Sequence, residues 1–442
     1  MYDVVVIGAG PGGYVCAIEA AKLGGKVCLI EKNGLGGVCT QKGCIPTKYL
    51  HSMGDIVRRA SSAKENGIDV KIVLNYKLLQ SKMMATVSKL ASGIKLLLAD
   101  NGVDLIEGEA KIVTENKVMA NGKFIETKNI VIATGSHPIC LPGYDFGDKI
   151  ISSDNVLDLQ NLPADMVVVG GGYSGCEFAS ILNALGCKIW LVEIEDRLLP
   201  AQPEEIGKAV EKYMRLDGIT VMTKSKVEKI TDKEVIINGE KLESEKVLVC
   251  TGRKPNINSD ELDKIGIKFN RQGIIVNEKM QTSIENVYAI GDVTGMYEVA
   301  HVASRQGEVA AQNIMEKESI MDYRAVPVCV FTYPEVAFVG ECVGSSAKFP
   351  LTASAKANCL ADTRGFIRVF EKNGICTGAI IIAPHAGELI SEPTLAIKMQ
   401  LKIKDVVETI HAHPTLPESF QDALRHLLGK SIHLPKAKSL LK

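Results

Sequence analysis

Two hydrophobic periods alternate along the start of the chain. Tyr2-Asp3-Val4-Val5-Val6-Ile7 is a short β-branched run closed by glycine, the pattern of a strand covered on both faces of a parallel sheet. Residues from Tyr14 to Leu23 follow with helical spacing, and a second apolar run from Lys26 to Ile30 ends at Glu31. The same order returns after Met166: a strand Val167-Val168-Val169, a helix from Cys176 to Leu185, then a strand that stops at Glu193. Between the copies, residues 51–100 read as helical, with Val57, Ala60 and the stretch from Met83 to Leu97 supplying the apolar positions. Short strands come next, with Asn121-Gly122 as a tight hairpin turn. Beyond Tyr323, strand-like runs at 328–331, 336–339, 366–370 and 377–382 precede helix-like 386–400 and 418–428, which predicts an antiparallel sheet with helices.

Each of the two strand–helix junctions is a glycine turn: Gly8-Ala9-Gly10-Pro11-Gly12-Gly13 and Gly170-Gly171-Gly172-Tyr173-Ser174-Gly175. In this context they form the dinucleotide fingerprint. Gly8 permits the tight turn, Gly10 lets the backbone approach a pyrophosphate, Gly13 packs helix on strand, and Glu31 binds a ribose hydroxyl. Gly170, Gly172, Gly175 and Glu193 repeat the set, with 23 positions from first glycine to acid in both copies (31 − 8 and 193 − 170). An acid at Glu193 binds a free 2′-hydroxyl and repels a 2′-phosphate, so the second site favours NAD over NADP; Arg197, four positions on, reads as a surface charge. Each unit closes on a similar strand end, Ala133-Thr134-Gly135 and Cys250-Thr251-Gly252. Pro138, Pro142 and Gly143 mark a boundary.

Length and charge narrow the function class. A chain of 442 residues suggests about three domains at ~150 residues each. A net charge of −1 with 23% charged residues carries no polybasic signature for nucleic acid or anionic membrane. Aromatics are 5%, with Trp190 alone among tryptophans, which argues against a base-stacking platform. No apolar run reaches the ~18 residues of a membrane span, and Met1 runs directly into a strand with no room for a targeting peptide. The expected setting is soluble and cytoplasmic, where most of the twelve cysteines stay reduced and any disulfide is catalytic rather than structural.

The candidate chemistry lies in Gly36-Gly37-Val38-Cys39-Thr40-Gln41-Lys42-Gly43-Cys44-Ile45-Pro46. Cysteines five apart on a glycine-containing loop can bend to disulfide distance. Pro46 fits a first helical turn, which puts Cys44 at a helix N-terminus, where the dipole favours thiolate. A redox-active disulfide is the central reading. Structural zinc competes, although the spacing is wide and no second close pair follows; inert buried thiols are the other alternative.

Together the segments 8–13, 37–48, 170–177, 251–256, 290–292 and 411–420 resemble the pyridine-nucleotide–disulfide oxidoreductases, over essentially the whole chain. The resemblance implies an α/β fold: two Rossmann-like domains for FAD and NAD(P), plus a C-terminal α+β dimerisation domain. Its expected boundaries are 1–144 (FAD, first part), 145–264 (NAD), 265–322 (central return segment) and 323–442 (interface). FAD contacts are implied at Gly8, Gly10, Gly13, Glu31, Lys48, Ala110, Thr134, Gly135, Asp292 and Ala300. NAD contacts are implied at Gly170, Gly172, Gly175, Glu193, Val227 and Gly252. No metal site is expected.

Within the family, Ala383-Pro384-His385-Ala386-Gly387-Glu388 and the doubled histidine of His411-Ala412-His413-Pro414-Thr415 are most similar to the branch that oxidises dihydrolipoyl groups with NAD⁺. That branch implies a lipoyl-bearing protein partner and a homodimer in which the 411–420 segment reaches over the partner's disulfide. It also implies that Cys39 takes the substrate thiol, that Cys44 sits beside the flavin, and that Lys48 pairs with Glu177 near it. His413 is the base and Glu418 orients it, although Thr415-Leu416-Pro417-Glu418 also matches a capping box that would use Glu418 structurally. Two residues depart from the branch: Pro417 replaces serine, and Tyr173 resembles the tyrosine of glutathione reductases. A glutathione-reductase-like enzyme is the alternative. Mercuric and large thioredoxin reductases carry a C-terminal cysteine pair, whereas no cysteine follows Cys376 here. A flavoprotein scaffold without turnover needs none of Cys39, Cys44, His413 or Glu418.

Overall fold

The computed structural model describes residues 1–435. It divides into two compact units, Met1–Met166 with Ser244–Met321, and Val167–Glu243 with the chain from Asp322 on.

The first unit opens with β1 (Tyr2–Ile7), α1 (Pro11–Lys22), β2 (Val27–Glu31), α2 (Gly37–Lys42), α3 (Cys44–Ser62) and α4 (Tyr76–Asp100). It continues with β3 (Asp104–Glu107), β4 (Ala110–Thr114), β5 (Lys117–Ala120) and β6 (Lys123–Ile132). The sheet runs β3-β2-β1-β6-β5-β4, with the strand Val287–Ala289 added on β6. β1 lies parallel to both β2 and β6. Its Val4, Val5 and Val6 are fully buried, which is why the run is continuously apolar rather than alternating. α1 and the helix Ala300–Ile314 approach closely because both carry glycine at the crossing. A Cβ on Gly12 would stand 3.0 Å from the Ala303 oxygen, and one on Gly307 would collide with the Gly12 carbonyl.

The hairpin at Asn121-Gly122 forms as expected, with φ of 50° and 74°. The 51–100 stretch is not one helix. α3 ends at Ser62, a 3₁₀ turn spans Ala63–Asn66, and Gly67 adopts φ 82° to stop it. α4 restarts at Tyr76, where the Asn75 side chain accepts the Leu78 N–H at 3.1 Å and caps the new helix.

In the second unit the helix Tyr173–Ala184 follows the strand that ends at Val169, and Lys188–Val192 pairs in parallel with Thr220–Met222. Three antiparallel strands, Val227–Ile230, Glu234–Ile237 and Glu240–Glu243, come next. The C-terminal sheet is antiparallel, in the order Val328–Val330, Glu335–Gly340, Ile375–Ala383, Phe366–Lys372, Ser345–Pro350. Its edge strand Ser345–Pro350 escapes sequence patterning, because only Ala347 and Phe349 of its six residues are buried. Phe349, Ile367, Val369 and Ile381 form one core with Phe420 and Leu424 of the helix Glu418–Leu427. The expected 386–400 helix is two pieces, Ala386–Leu389 and Ser391–Lys398, entered through His385 at φ 59°. Among the described residues no helix is long and apolar enough to cross a membrane.

Candidate active site

Cys39 lies in α2, and Cys44 is the first residue of α3, with Pro46 in its first turn. Gly43 makes the reversal between the two helices, and a Cβ there would come 2.9 Å from the Val38 oxygen. The reversal brings the two half-buried free thiols into hydrogen-bond contact. That bond to Cys44, then burial, pushes the Cys39 thiol above its ordinary value, while the Lys48 ammonium one turn along α3 opposes the shift. Adjacent sulfurs at a helix start can exchange one S–S bond for two thiols. The other buried cysteines differ: burial first, and nearby acids second, push Cys16 and Cys28 up to about 12, and burial pushes Cys376 to about 11. Among the described residues no convergent set of metal-ligating side chains includes Cys39 or Cys44, so the four donors of structural zinc are not assembled there.

The first glycine turn is built to receive a dinucleotide. Gly8, at φ 102°, donates its N–H to Ile30 O at 2.8 Å. A Cβ on Gly8 would strike the Ala133 carbonyl, and one on Gly13 would strike Gly8 itself. At Gly10 a side chain would instead fill open space beside the start of α1, the space a pyrophosphate needs against the helix amides. Glu31 accepts the Ala9 N–H at 2.6 Å, the Asn33 N–H at 2.7 Å and the Gly34 N–H at 3.3 Å. A carboxylate has about four acceptor positions, so one is left for a ribose hydroxyl. These residues fit FAD.

The remaining expected FAD residues occupy strand ends and helix starts of the same unit. Ala110 begins β4 and Ala300 begins its helix. Thr134 Oγ1 donates to Asn256 O at 2.8 Å, and Gly135 holds φ 69°. Asp292 accepts the Ser136 hydroxyl at 2.6 Å, and Ser136 in turn accepts Arg253 Nε–H at 2.8 Å. Sequence reasoning passed over Ser136 and Arg253, whose bond spans 117 positions and has no local signal.

The second turn copies the first. Gly170 N–H donates to Val192 O at 2.8 Å, and Gly172 again faces open space. Glu193, 7% exposed, accepts the Gly171 N–H at 2.5 Å and the Glu195 N–H at 2.8 Å. Gly175 is buried in the helix Tyr173–Ala184, and Val227 opens the three-stranded sheet. Tyr173 accepts a hydrogen bond from Gln202 Nε2 at 2.5 Å, and burial holds its hydroxyl above its ordinary value. Arg197 is partly exposed, its Nη1 pairing with Asp196 at 3.1 Å and its Nη2 donating to Pro200 O at 2.9 Å. Glu177 is buried and accepts the Phe331 N–H at 3.0 Å, tying its helix to the strand entering the C-terminal sheet. Gly252, in the first unit, holds φ 129° and its carbonyl accepts Ile139 N–H at 3.1 Å.

His413 precedes a cis proline, and its side chain is 71% exposed. Its Nδ1 lies 2.9 Å from Glu418 Oε1, while Glu418 Oε2 accepts the Thr415 N–H at 2.7 Å. Thr415 Oγ1 donates back to Ala412 O at 2.7 Å. The capping box is therefore half formed: Glu418 holds the turn as a box would and orients the imidazole with its other oxygen. Burial would raise the Glu418 carboxyl, but the Thr415 and His413 hydrogen bonds outweigh it and hold the group below its ordinary value. Sequence reasoning missed Glu392, which lies 2.9 Å from His411 Nε2 across 19 positions.

Residues 2–307 match the profile described as pyridine nucleotide-disulphide oxidoreductase, and residues 326–424 match the dimerisation domain of the same family. The chain is 36% identical to a dihydrolipoyl dehydrogenase of Chlamydia pneumoniae over 98% of both chains. It is 38% identical to one from Geobacillus stearothermophilus, over 98% of this chain and 97% of that one. Among solved structures, LpdA of Mycobacterium tuberculosis superposes with a TM-score of 0.89 at 25% identity, covering 96% of this chain and 99% of that one. The HOCl-induced flavoprotein disulfide reductase RclA of Escherichia coli gives 0.86 at 25% identity, over 95% and 99%.

Proposed function

The chain belongs to the pyridine nucleotide-disulphide oxidoreductases, and from that premise we propose how its residues divide the work. It is an FAD-dependent oxidoreductase that oxidises dihydrolipoamide to lipoamide with NAD⁺. The observation that carries the assignment of the reacting pair is the contact between Cys39 and Cys44 at the first residue of α3.

His413 Nε2 takes a proton from the substrate dithiol, and Glu418 holds Nδ1–H so that the ring faces outward and its cation is stabilised. The substrate thiolate attacks Cys39 Sγ, the Cys39–Cys44 bond breaks, and Cys44 leaves as thiolate. The second substrate sulfur displaces Cys39 from the mixed disulfide and closes the oxidised product. One dithiol is thus oxidised and one disulfide reduced, with the released protons on His413 and Cys39. The raised Cys39 pKa fits this order, because it favours the protonated thiol at Cys39. Bound FAD supplies a two-electron relay between this pair and nicotinamide. Gly8, Gly10, Gly13, Glu31 and Asp292 would hold FAD, and Lys48 would lie beside both FAD and the thiolate. Gly170, Gly172, Gly175 and Glu193 would hold NAD.

The match to the family's dimerisation domain supports a homodimer. We assign the dyad of one subunit to the cysteine pair of the other, a reading supported by the exposure of His413. The substrate is a lipoyl group carried on a partner protein. A glutathione-reductase-like specificity is the second reading, favoured by Tyr173 at the start of the second glycine-turn helix. Steady-state turnover of dihydrolipoamide with NAD⁺ against glutathione disulfide with NADPH separates the two. The first pair is expected to dominate, and dominance of the second would overturn the assignment.

A further inference from the structure

From Thr409 to His413 the segment has no buried apolar side chain; the next is Leu416, which enters the core. Ile410 is 97% exposed, and a cavity of about 680 Å³ opens between residues 414–417 and the two short helices that carry Glu388 and Glu392. From Ile410 to His413 one side chain points inward: His411, 8% exposed. Its Nε2 lies 2.9 Å from Glu392 Oε1, and its Nδ1 lies 3.0 Å from Thr409 O. Both partners are oxygen acceptors, so each contact is one that a ring N–H can fill. Gln421 Nε2 donates to the same Thr409 O at 2.6 Å and to Val407 O at 2.9 Å. The chain ahead of His413 is therefore clamped twice, once from the helix Glu418–Leu427 and once from Ser391–Lys398.

We propose that His411 is a positioning residue for the thiol half-reaction, its bond to Glu392 setting where His413 stands. Two residues span at most about 7 Å, so a shift at the His411 anchor passes to His413 with little slack. Glu418 fixes the orientation of the His413 ring, whereas the His411–Glu392 pair fixes the location of the backbone that carries it. The proposal rests on His413 acting as the base.

The test compares kcat/KM for dihydrolipoamide with NAD⁺ against NADH-to-dye transfer, which bypasses the thiol step. His411→Ala and Glu392→Ala are each expected to lower the first roughly ten- to a hundredfold, the scale of a misplaced catalytic group, and to leave the second unchanged. The double variant should lose no more than either single one, since both remove the same bond. Glu392→Gln, whose amide oxygen still accepts, should return turnover to near the wild-type value. Additive losses, equal losses in both reactions, or no loss would overturn the proposal. His413→Gln measured in parallel tells the failures apart. If that variant keeps its thiol turnover, the base assignment is wrong; if it loses turnover while the His411 and Glu392 variants do not, only the positioning role is wrong.

Discussion

His413 and Glu418 form a dyad in which Nδ1 and Oε1 are 2.9 Å apart and the second carboxylate oxygen is spent on the Thr415 N–H. One side chain therefore sets both the ring and the turn that presents it. Among the described residues Nε2 takes no hydrogen bond, which leaves it open for the proton transfer proposed above.

Replacing His413 with Gln is expected to slow dihydrolipoamide oxidation by roughly 10²–10⁴-fold, the range of a lost general base, with NADH-to-dye transfer retained. Stopped-flow of each half-reaction checks this; parallel losses would remove His413 from the proton transfer.

The dyad also carries a pH signature. Glu418 is held below its ordinary value, so the fold favours its ionised form. Its stabilising contribution is present above the ordinary carboxylate range and is lost as the pH falls through the lowered value. Wild type should exceed Glu418→Gln in thermal stability at neutral pH, with the gap closing below about pH 4. A gap that widens in acid would contradict the sign.

Cys44→Ser should abolish NAD⁺-linked dihydrolipoamide oxidation while the protein keeps its yellow flavin. In Cys44→Ala the bond and charge that raise Cys39 are gone and Lys48 remains. Cys39 should then be alkylated by iodoacetamide at lower pH than in the reduced wild type. Mass spectrometry across a pH series reads this, and an unmoved alkylation profile would assign the raised value to burial alone.

Glu193→Arg should shift preference from NAD⁺ toward NADP⁺. It also removes the acceptor for the Gly171 and Glu195 amides, so the melting temperature should fall by a few degrees for about 1–3 kcal/mol of lost amide pairing. The ratio of kcat/KM values for the two cofactors decides it, and unchanged selectivity would end the ribose assignment.

Glu177→Ala strips the Phe331 N–H of its acceptor, an expected cost of about 1–3 kcal/mol. Glu177→Gln keeps an oxygen there and should recover most of it. Chemical denaturation of the holoenzyme compares the two; equal stabilities would mean the bond carries no weight.

Local pattern was enough for much of this. The two glycine turns and their terminal acids were legible because each role is set within one strand–turn–helix unit, and Glu31 and Glu193 make matching bonds to Ala9 and Gly171. The hairpin at Asn121 and the helix start at Cys44 followed from backbone preferences of Asn-Gly and Pro46. The break at 67–75 was missed because apolar periodicity continues on either side, and the edge strand Ser345–Pro350 was missed because only two of its residues are buried.

What the chain order by itself determined is the pair of dinucleotide units and the cysteine pair, since these depend on residues a few positions apart with strong local conformational biases; the histidine–acid segment was legible only through the family resemblance. Tertiary structure alone decided which hydrogen-bond partners the functional side chains face. Glu177 accepts from Phe331, Asp292 accepts from Ser136, and His411 faces Glu392. Hydrogen bonds between positions 19 to 156 apart leave no periodic trace in a sequence; they exist only once packed elements bring donor and acceptor within about 3 Å.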